Sequence, residues 1–316
     1  MPELPEVQAL AEILDRRLRG LRIASLSVAS VAALKTYDPP PSALAGREVA
    51  GVGRHGKFLD LAASAVPTSP AGSASLPPSP GSADLPSPGS DQPPSPLHLL
   101  VHLSRAGWVR WRDAASEARL AQRGPLAARL RFEDGAGLDI TEMGTEKRLA
   151  LYVVRDPAEV PGVSRLGVDA LADELDLGRL RELLRAHPGT LKTVLSDQGV
   201  IAGVGNAYSD EILHAARLSP FARTDRLDAD ALDRLLDALR ETLGSALERA
   251  RALNIDELKD GKRMAMRVHG RTGQPCPVCG DTVREVALSS RSYQYCPGCQ
   301  TGGRIYADRR LSRLLR

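Results

Sequence analysis

Lys192-Thr193-Val194-Leu195-Ser196-Asp197-Gln198-Gly199-Val200-Ile201-Ala202-Gly203-Val204-Gly205-Asn206 reads as a short helix, a glycine-punctuated turn and a second helix opening near Asn206. Gly203 and Gly205 allow another segment to approach the backbone closely, and N–H groups at the start of the second helix could receive a phosphate. The same turn also suits an ordinary tight helix–helix connection. The stretch stands just beyond the point, about Leu175, where the apolar period of the chain changes, and that change sets the fold class.

Downstream the period is helical. Leu180, Leu183 and Leu184 share one face, and Leu232, Leu235, Leu236, Leu239, Leu243 and Leu247 form a stripe on a long helix that Asp228 is placed to cap. Upstream, Val7 to Gly20 carries Val7, Leu10, Ala11, Leu14 and Leu18 at helical spacing. Beyond it, short alternating runs read as strands at Arg22–Ser27, Glu48–His55, Phe58–Leu61, His98–Trp111, Arg129–Phe132, Leu138–Thr141 and Leu149–Val154. The first half is therefore mostly β with a leading helix, a sandwich or barrel, and the second is helical. Residues 63–96 interrupt the strands with ten prolines and nine serines in 34 residues, which predicts a disordered loop.

The chain, at 316 residues, is long enough for two separate cores, and its formal net charge is only +3. The distribution says more. From Lys262 to Arg316 there are eleven Lys/Arg against three Asp/Glu, a balance suited to a polyanion or to a solvated basic tail. No apolar run approaches the roughly 20 residues of a membrane span and no basic-then-apolar leader opens the chain, so a cytosolic (cytoplasmic) protein is expected, associated with the nucleoid only in so far as it binds DNA. All four cysteines fall in Cys276-Pro277-Val278-Cys279 and Cys296-Pro297-Gly298-Cys299, a C-x2-C-x16-C-x2-C pattern. Four thiolates at this spacing suit one closed, structural Zn²⁺ on a β-hairpin, with iron the main competitor. Arg291, Ser292 and Tyr293 would lie on the second strand, presenting Arg291 to a phosphate.

The opening Met1-Pro2-Glu3-Leu4-Pro5-Glu6 is either an ordinary terminus or a reactive one. Removal of Met1 would leave Pro2 as a secondary amine, a useful fraction of which is unprotonated near neutral pH because an α-amino group titrates near about 8. Its attack on a sugar C1′ gives an iminium that cannot discharge by losing a proton, an electron sink for phosphate elimination. Glu3 could protonate the sugar ring oxygen.

Together these segments resemble the formamidopyrimidine-DNA glycosylase and endonuclease VIII family of bifunctional repair enzymes. Pro2-Glu3-Leu4-Pro5-Glu6-Val7 looks like the opening of the formamidopyrimidine branch, and Arg54-His55-Gly56-Lys57-Phe58-Leu59 like the family's catalytic lysine segment. Leu191 to Leu213 is similar to its helix–two-turn–helix motif, and Arg267-Val268-His269-Gly270-Arg271 with the cysteines to its zinc finger. The resemblance implies an α+β, multidomain chain: a catalytic β-sandwich with a leading helix at 1–155, a helix–two-turn–helix domain at 156–260, a zinc finger at 261–302 and a basic tail at 303–316. It implies Pro2 as the Schiff-base nucleophile, Glu3 as acid/base and Glu6 as a supporting carboxylate. Lys57, Asn206 and Arg291 would grip phosphates, Lys192 would make a further DNA contact unless simply solvated, and Cys276, Cys279, Cys296 and Cys299 would bind zinc. The expected partner is double-stranded damaged DNA, met by a monomer.

One part departs from the family pattern. Such enzymes fill the gap left by an extruded base with a wedge, because an empty slot lets the duplex restack. The family's wedge methionine position carries Arg105 here, and its Asp-Pro-Arg-Arg-Phe-Gly loop corresponds to Thr141-Glu142-Met143-Gly144-Thr145-Glu146-Lys147-Arg148, with two added carboxylates. Met143, Lys147, Arg148 or Trp108 would have to substitute, although Trp108 suits a β core better. The expected function is a glycosylase with β- and δ-elimination lyase activity. The alternatives are a protein that binds abasic or flipped sites without turnover, and a zinc-ribbon regulator of transcription.

Overall fold

A computed structural model describes residues 2–66, 95–118, 120–121, 124–288 and 291–306; the side chains of residues 260, 262–264, 288 and 291 are outside the description, as are residues 67–94 of the expected loop and the tail from residue 307. The first helix, α1 (Leu4–Leu18), begins three residues before the expected Val7. Glu3 is its N-cap, the Glu6 carboxylate accepts the Glu3 N–H at 2.8 Å, and Pro5 sits in the first turn, where a missing N–H costs nothing. Leu4 is buried in the second core rather than the first, which hid it from the local period.

Eight strands follow: β1 (Ile23–Val28), β2 (Glu48–His55), β3 (Phe58–Ser64), β4 (Leu97–His102), β5 (Gly107–Arg112), β6 (Leu126–Phe132), β7 (Gly137–Glu142) and β8 (Ala150–Val154). They form two antiparallel four-stranded sheets, ordered β1-β6-β7-β5 and β2-β3-β4-β8. The run His98–Trp111 is thus two strands in different sheets. Between them Ser104 takes φ 54°, and Gly107 lies so close to the Leu103 carbonyl that an added Cβ would stand 2.2 Å from its oxygen. β3 and β4 pair from Phe58↔His102 to Ala63↔Leu97, so Ala63 and Ser64 belong to a strand rather than to the loop.

Leu59, Leu61, Leu99 and Val101 of one sheet face Val109, Leu130, Leu138 and Ile140 of the other across a core completed by Leu14 of α1. Each such side chain contributes about 1.5–3 kcal/mol by leaving water. The outer face of β3 and β4 is covered too. Phe58 and Leu100 pack with Val154 and Val160, which is why β3 reads as nearly continuous apolar sequence.

The second half contains α2 (Pro161–Ser164), β9 (Val168–Asp169), α3 (Leu177–Ala186), α4 (Leu191–Leu195), β10 (Ile201–Ala202, parallel to β9), α5 (Asn206–Ala215), α6 (Ala229–Arg251) and α7 (Ile255–Met264). The β11 (Arg284–Leu288) and β12 (Arg291–Tyr295) hairpin and α8 (Pro297–Gln300) follow. Asp228 caps α6, accepting the Ala231 N–H at 2.7 Å. The leucine stripe of α6 serves two cores: Leu235, Leu239 and Leu243 pack with α3 and α5, whereas Leu247 and Ala250 join the sandwich core. Ile255 and Leu258 of α7 also belong to the sandwich core, and Trp108 is buried there with its Nε1–H donating to the Ile255 carbonyl at 2.9 Å. Arg54 clamps both oxygens of Asp169 across the two halves at 2.5 and 3.0 Å. Among the described residues no helix is long and apolar enough to cross a membrane.

Candidate functional site

Glu3 is where the two halves meet. Its side chain is 2% exposed, and its carboxylate accepts N–H bonds from Gly205 at 2.6 Å, Ala207 at 3.0 Å and Tyr208 at 3.3 Å. The amides at the start of α5, read from sequence as a phosphate seat, are thus taken by a carboxylate from α1. A helix N-terminus presents unpaired N–H groups and partial positive charge, and Glu3 satisfies both at once.

The Gly203-Val204-Gly205 turn is what permits this. Gly203 takes φ 100°, its carbonyl accepts the Leu4 N–H at 3.1 Å, and an added Cβ would stand 2.3 Å from the Leu4 side chain. Gln198 braces the turn through the Gly203 N–H at 3.0 Å and the Val204 carbonyl at 2.6 Å. Lys57, in the β2–β3 turn, is buried and donates to the same Val204 carbonyl at 2.9 Å. A Cβ on Gly205 would meet Glu3 Cδ at 2.4 Å and Lys57 Nζ at 2.7 Å, so carboxylate and ammonium converge on this one glycine.

Glu6 completes the cluster. Its Oε1 accepts the Tyr208 hydroxyl at 2.5 Å while its Oε2 holds the Glu3 backbone. Burial, with the Glu6 and Glu3 carboxylates beside it, holds the Tyr208 phenol far above its ordinary value, so it acts as a donor. His102, at the end of β4, is pushed down to about 4 by burial and by the Lys57 charge, and is neutral at physiological pH. Pro2 is half-buried and directly precedes Glu3.

Lys192 departs from expectation. It is fully buried, neither a DNA contact nor a solvated lysine. Its ammonium donates to Asp210 at 2.5 Å, the Asn206 carbonyl at 2.8 Å and Ser209 Oγ at 3.1 Å, and lies 5.4 Å from the Tyr293 ring centre. Asp210 also accepts His269 Nδ1 at 2.9 Å and the Gln294 N–H at 3.2 Å, while Glu211 accepts the N–H groups of Arg267, Val268 and His269. Lys192, Asp210 and Glu211 therefore lock α4 and α5 to the cysteine hairpin. Spacing along one segment held no trace of this role, because every carboxylate partner comes from α5 and every backbone partner of those carboxylates from beyond residue 266.

Asn206 opens α5 with Nδ2 3.5 Å from Ser292 Oγ, and its buried Oδ1 has no hydrogen-bond partner among the described residues. Arg291 starts β12 opposite Leu288; its side chain lies outside the described residues. The hairpin therefore stands directly beside the opening of α5.

The loops in question as a wedge leave the sandwich at the end that carries Lys57. His55↔Phe58, Phe58↔His102 and His102↔Ala150 pair in the β2-β3-β4-β8 sheet, and Gly107↔Glu142 in the other. Glu142 is buried, its carboxylate accepting the N–H groups of Arg148 at 2.7 Å and Leu149 at 2.9 Å, and Lys147 Nζ donates to its carbonyl. Arg148 pairs with Glu146 at 3.1 Å. Both added carboxylates are thus used within the loop. Met143 is the loop's exposed apolar side chain, half accessible to solvent, with its N–H on the Ala106 carbonyl at 3.1 Å.

The cysteines converge. Cys276 Sγ lies 3.8 Å from Cys299 Sγ, about the edge of a tetrahedron with 2.3 Å metal–sulfur bonds, and Cys279 Sγ lies 3.3 Å from Cys296 Sγ. One buried residue outside the motif joins them: His214 of α5, whose ligand atom falls with those of Cys276, Cys296 and Cys299 within 4.8 Å of one another. An Asp281 N–H on Cys279 holds that thiol below its ordinary value, whereas burial pushes Cys296 up to about 11.

Residues 1–145 match the formamidopyrimidine-DNA glycosylase N-terminal domain, residues 166–256 the formamidopyrimidine-DNA glycosylase H2TH domain, and residues 273–302 the zinc finger found in FPG and IleRS. A formamidopyrimidine-DNA glycosylase of a Parafrankia species is 33% identical over 313 residues, covering 95% of this chain and 98% of that one. An uncharacterized formamidopyrimidine-DNA glycosylase-like protein of Mycobacterium tuberculosis is 52% identical over 159 residues, covering 50% of this chain and 99% of its own. The crystal structure of Lactococcus lactis formamidopyrimidine-DNA glycosylase, non-covalently bound to DNA containing an AP site, superposes with a TM-score of 0.72 at 22% identity, over 95% of this chain and 99% of that one. The zinc-finger match and the convergent donors agree on one structural zinc ion.

Proposed function

The chain belongs to the formamidopyrimidine-DNA glycosylase family, and from that premise we propose that it is a base-excision-repair DNA glycosylase with abasic-site lyase activity, acting on oxidised or otherwise damaged bases in double-stranded DNA. The observation that carries this reading is the convergence of Lys57 and of Glu3, the residue after Pro2 in the chain, on Gly205. A carboxylate and an ammonium held against a preorganised turn supply charge where a sugar and its phosphate would react. The AP-site DNA bound by the Lactococcus lactis relative supports the choice of partner.

In this reading Met1 is removed and the Pro2 nitrogen attacks C1′ of an extruded nucleotide. The glycosidic bond breaks and the base leaves with its electron pair. Glu3 serves as acid/base at the deoxyribose, and Glu6, hydrogen-bonded to the Glu3 backbone and to Tyr208, fixes its position. Glu3 gives a proton to the ring oxygen O4′ as the C1′–O4′ bond breaks, and the resulting iminium acidifies C2′, whose proton is lost as the 3′ phosphate departs; a second elimination releases the 5′ phosphate. Lys57, Asn206 and Arg291 would hold the phosphates, and Cys276, Cys279, Cys296 and Cys299 the zinc that folds the hairpin carrying Arg291.

Borohydride trapping on an abasic duplex tests the reading, with intact mass measured on the same preparation. A covalent adduct from protein lacking Met1 is expected. No adduct from such protein, under conditions where a known lyase traps, refutes the lyase assignment. One observation favours a second reading, binding without turnover: Arg105 occupies the family's wedge methionine position. A preparation that retains Met1 yet binds abasic DNA selectively would establish it.

A further inference from the structure

His214 lies in the last turn of α5, 3% exposed, with Nε2 3.3 Å from Cys276 Sγ and a buried Nδ1 that has no hydrogen-bond partner among the described residues. With Cys279 it brings the nitrogen and sulfur donors around the zinc position to five, and a structural zinc takes four. Two arrangements compete. His214 could replace Cys279 as a ligand, or four thiolates could fill the tetrahedron and His214 could hydrogen-bond to one of them.

The position of the imidazole proton separates them. As a ligand, Nε2 offers its lone pair and the proton sits on Nδ1. Metal-bound histidines almost always donate that second N–H to a carboxylate, a carbonyl or water, and here it would be a buried donor facing no acceptor among the described residues. With the proton on Nε2 the N–H instead points at Cys276. A thiolate sulfur can only accept, so the contact is satisfied, and Nδ1 is left as an unpaired acceptor, a more tolerated orphan than a donor. Cys276 also receives the Val278 N–H at 3.5 Å, so its sulfur is already set among donors.

We infer that His214 is a positioning residue for the zinc site, donating its Nε2–H to the Cys276 thiolate while Cys276, Cys279, Cys296 and Cys299 bind the ion. The contact ties the metal to the far end of the helix whose N-terminus is held by Glu3. Asp210 and Glu211, one turn earlier on α5, hold the backbone that leads into the finger and onto β12. His214 is the point at which the same helix reaches the metal site itself. The inference rests on the zinc site and is independent of the glycosylase reading.

X-ray absorption at the zinc edge of the wild-type protein, and zinc loss to a competing chelator by the wild type, His214→Phe and His214→Gln, test it. Four sulfur ligands are expected. His214→Phe keeps the apolar bulk but has no N–H, and should weaken zinc retention by about 10- to 100-fold, the usual effect of losing an outer-sphere partner. His214→Gln, whose amide can still donate, should recover most of that loss. Three sulfurs and one nitrogen in the wild type would overturn the inference, as would wild-type retention in His214→Phe. If His214→Phe does not fold, the wild-type ligand set and His214→Gln still decide: retention in His214→Gln no better than in a zinc-binding cysteine variant would also refute it.

Discussion

Gly205→Ala isolates the geometry on which the proposed chemistry depends. The residue has φ −124° and ψ −161°, extended backbone open to any amino acid, so alanine brings no backbone strain. The added Cβ instead meets Glu3 Cδ at 2.4 Å and Lys57 Nζ at 2.7 Å. Lys57 is the end of a flexible chain and can swing away. The Glu3 carboxylate cannot, because N–H bonds from Gly205 itself and from Ala207 and Tyr208 of α5 hold it. Restoring an ordinary carbon contact moves it by roughly 1 Å, and a displacement of that size at reacting groups costs roughly 100-fold in rate. Overpacking of this kind costs about 1–3 kcal/mol of stability, which a two-core protein survives. Single-turnover borohydride trapping on an abasic duplex should therefore slow about 100-fold, with zinc content and cooperative unfolding retained. Trapping at the wild-type rate by a folded Gly205→Ala protein would refute the claim that this convergence is the working site.

Lys192→Met leaves Asp210 buried without its cation and should cost about 3–5 kcal/mol in a denaturant titration. The salt dependence of DNA affinity should not change, whereas loss of a phosphate contact would lower its slope by about 1. His102 supplies a pH signature: its folded-state value near 4 lies below the unfolded 6.5, so the unfolded chain binds the proton first and stability falls as pH drops from about 6.5 to about 4. Comparing stability at pH 7 and pH 4, His102→Leu should lose about 3 kcal/mol less than the wild type; an identical loss would contradict the assignment. Deleting residues 67–94 and joining β3 to β4 with a short Gly/Ser turn should preserve trapping and zinc content, since the flanking strands already pair at Ala63↔Leu97. Loss of activity in that variant would give the proline-rich segment a role.

Much of the architecture was legible along the chain because it depends on short-range periodicity and capping. The α6 stripe and its Asp228 cap, the helix–turn–helix around Gly203 and Gly205, and the cysteine hairpin are each encoded within a few residues of themselves. The failures have a common cause. α1 starts at Leu4 because Leu4 packs on the second core, and His98–Trp111 splits because its two parts enter different sheets. The α6 stripe reads as one surface yet divides between two cores.

The sequence by itself determined which chemical groups are available: a prolyl nitrogen once Met1 is removed, two carboxylates beside it, a lysine segment, an asparagine turn and four thiols at metal-binding spacing. Tertiary structure decided what each of them does. The α5 amides could have met a phosphate, but they meet Glu3, because folding brings a carboxylate more than 200 positions away in the chain to an unsatisfied helix end. Lys192 could have met DNA, but once buried a charge requires a partner, and α5 supplies Asp210. His214 carries no motif, and it reaches the zinc site because α5 runs from Glu3 at one end to Cys276 at the other.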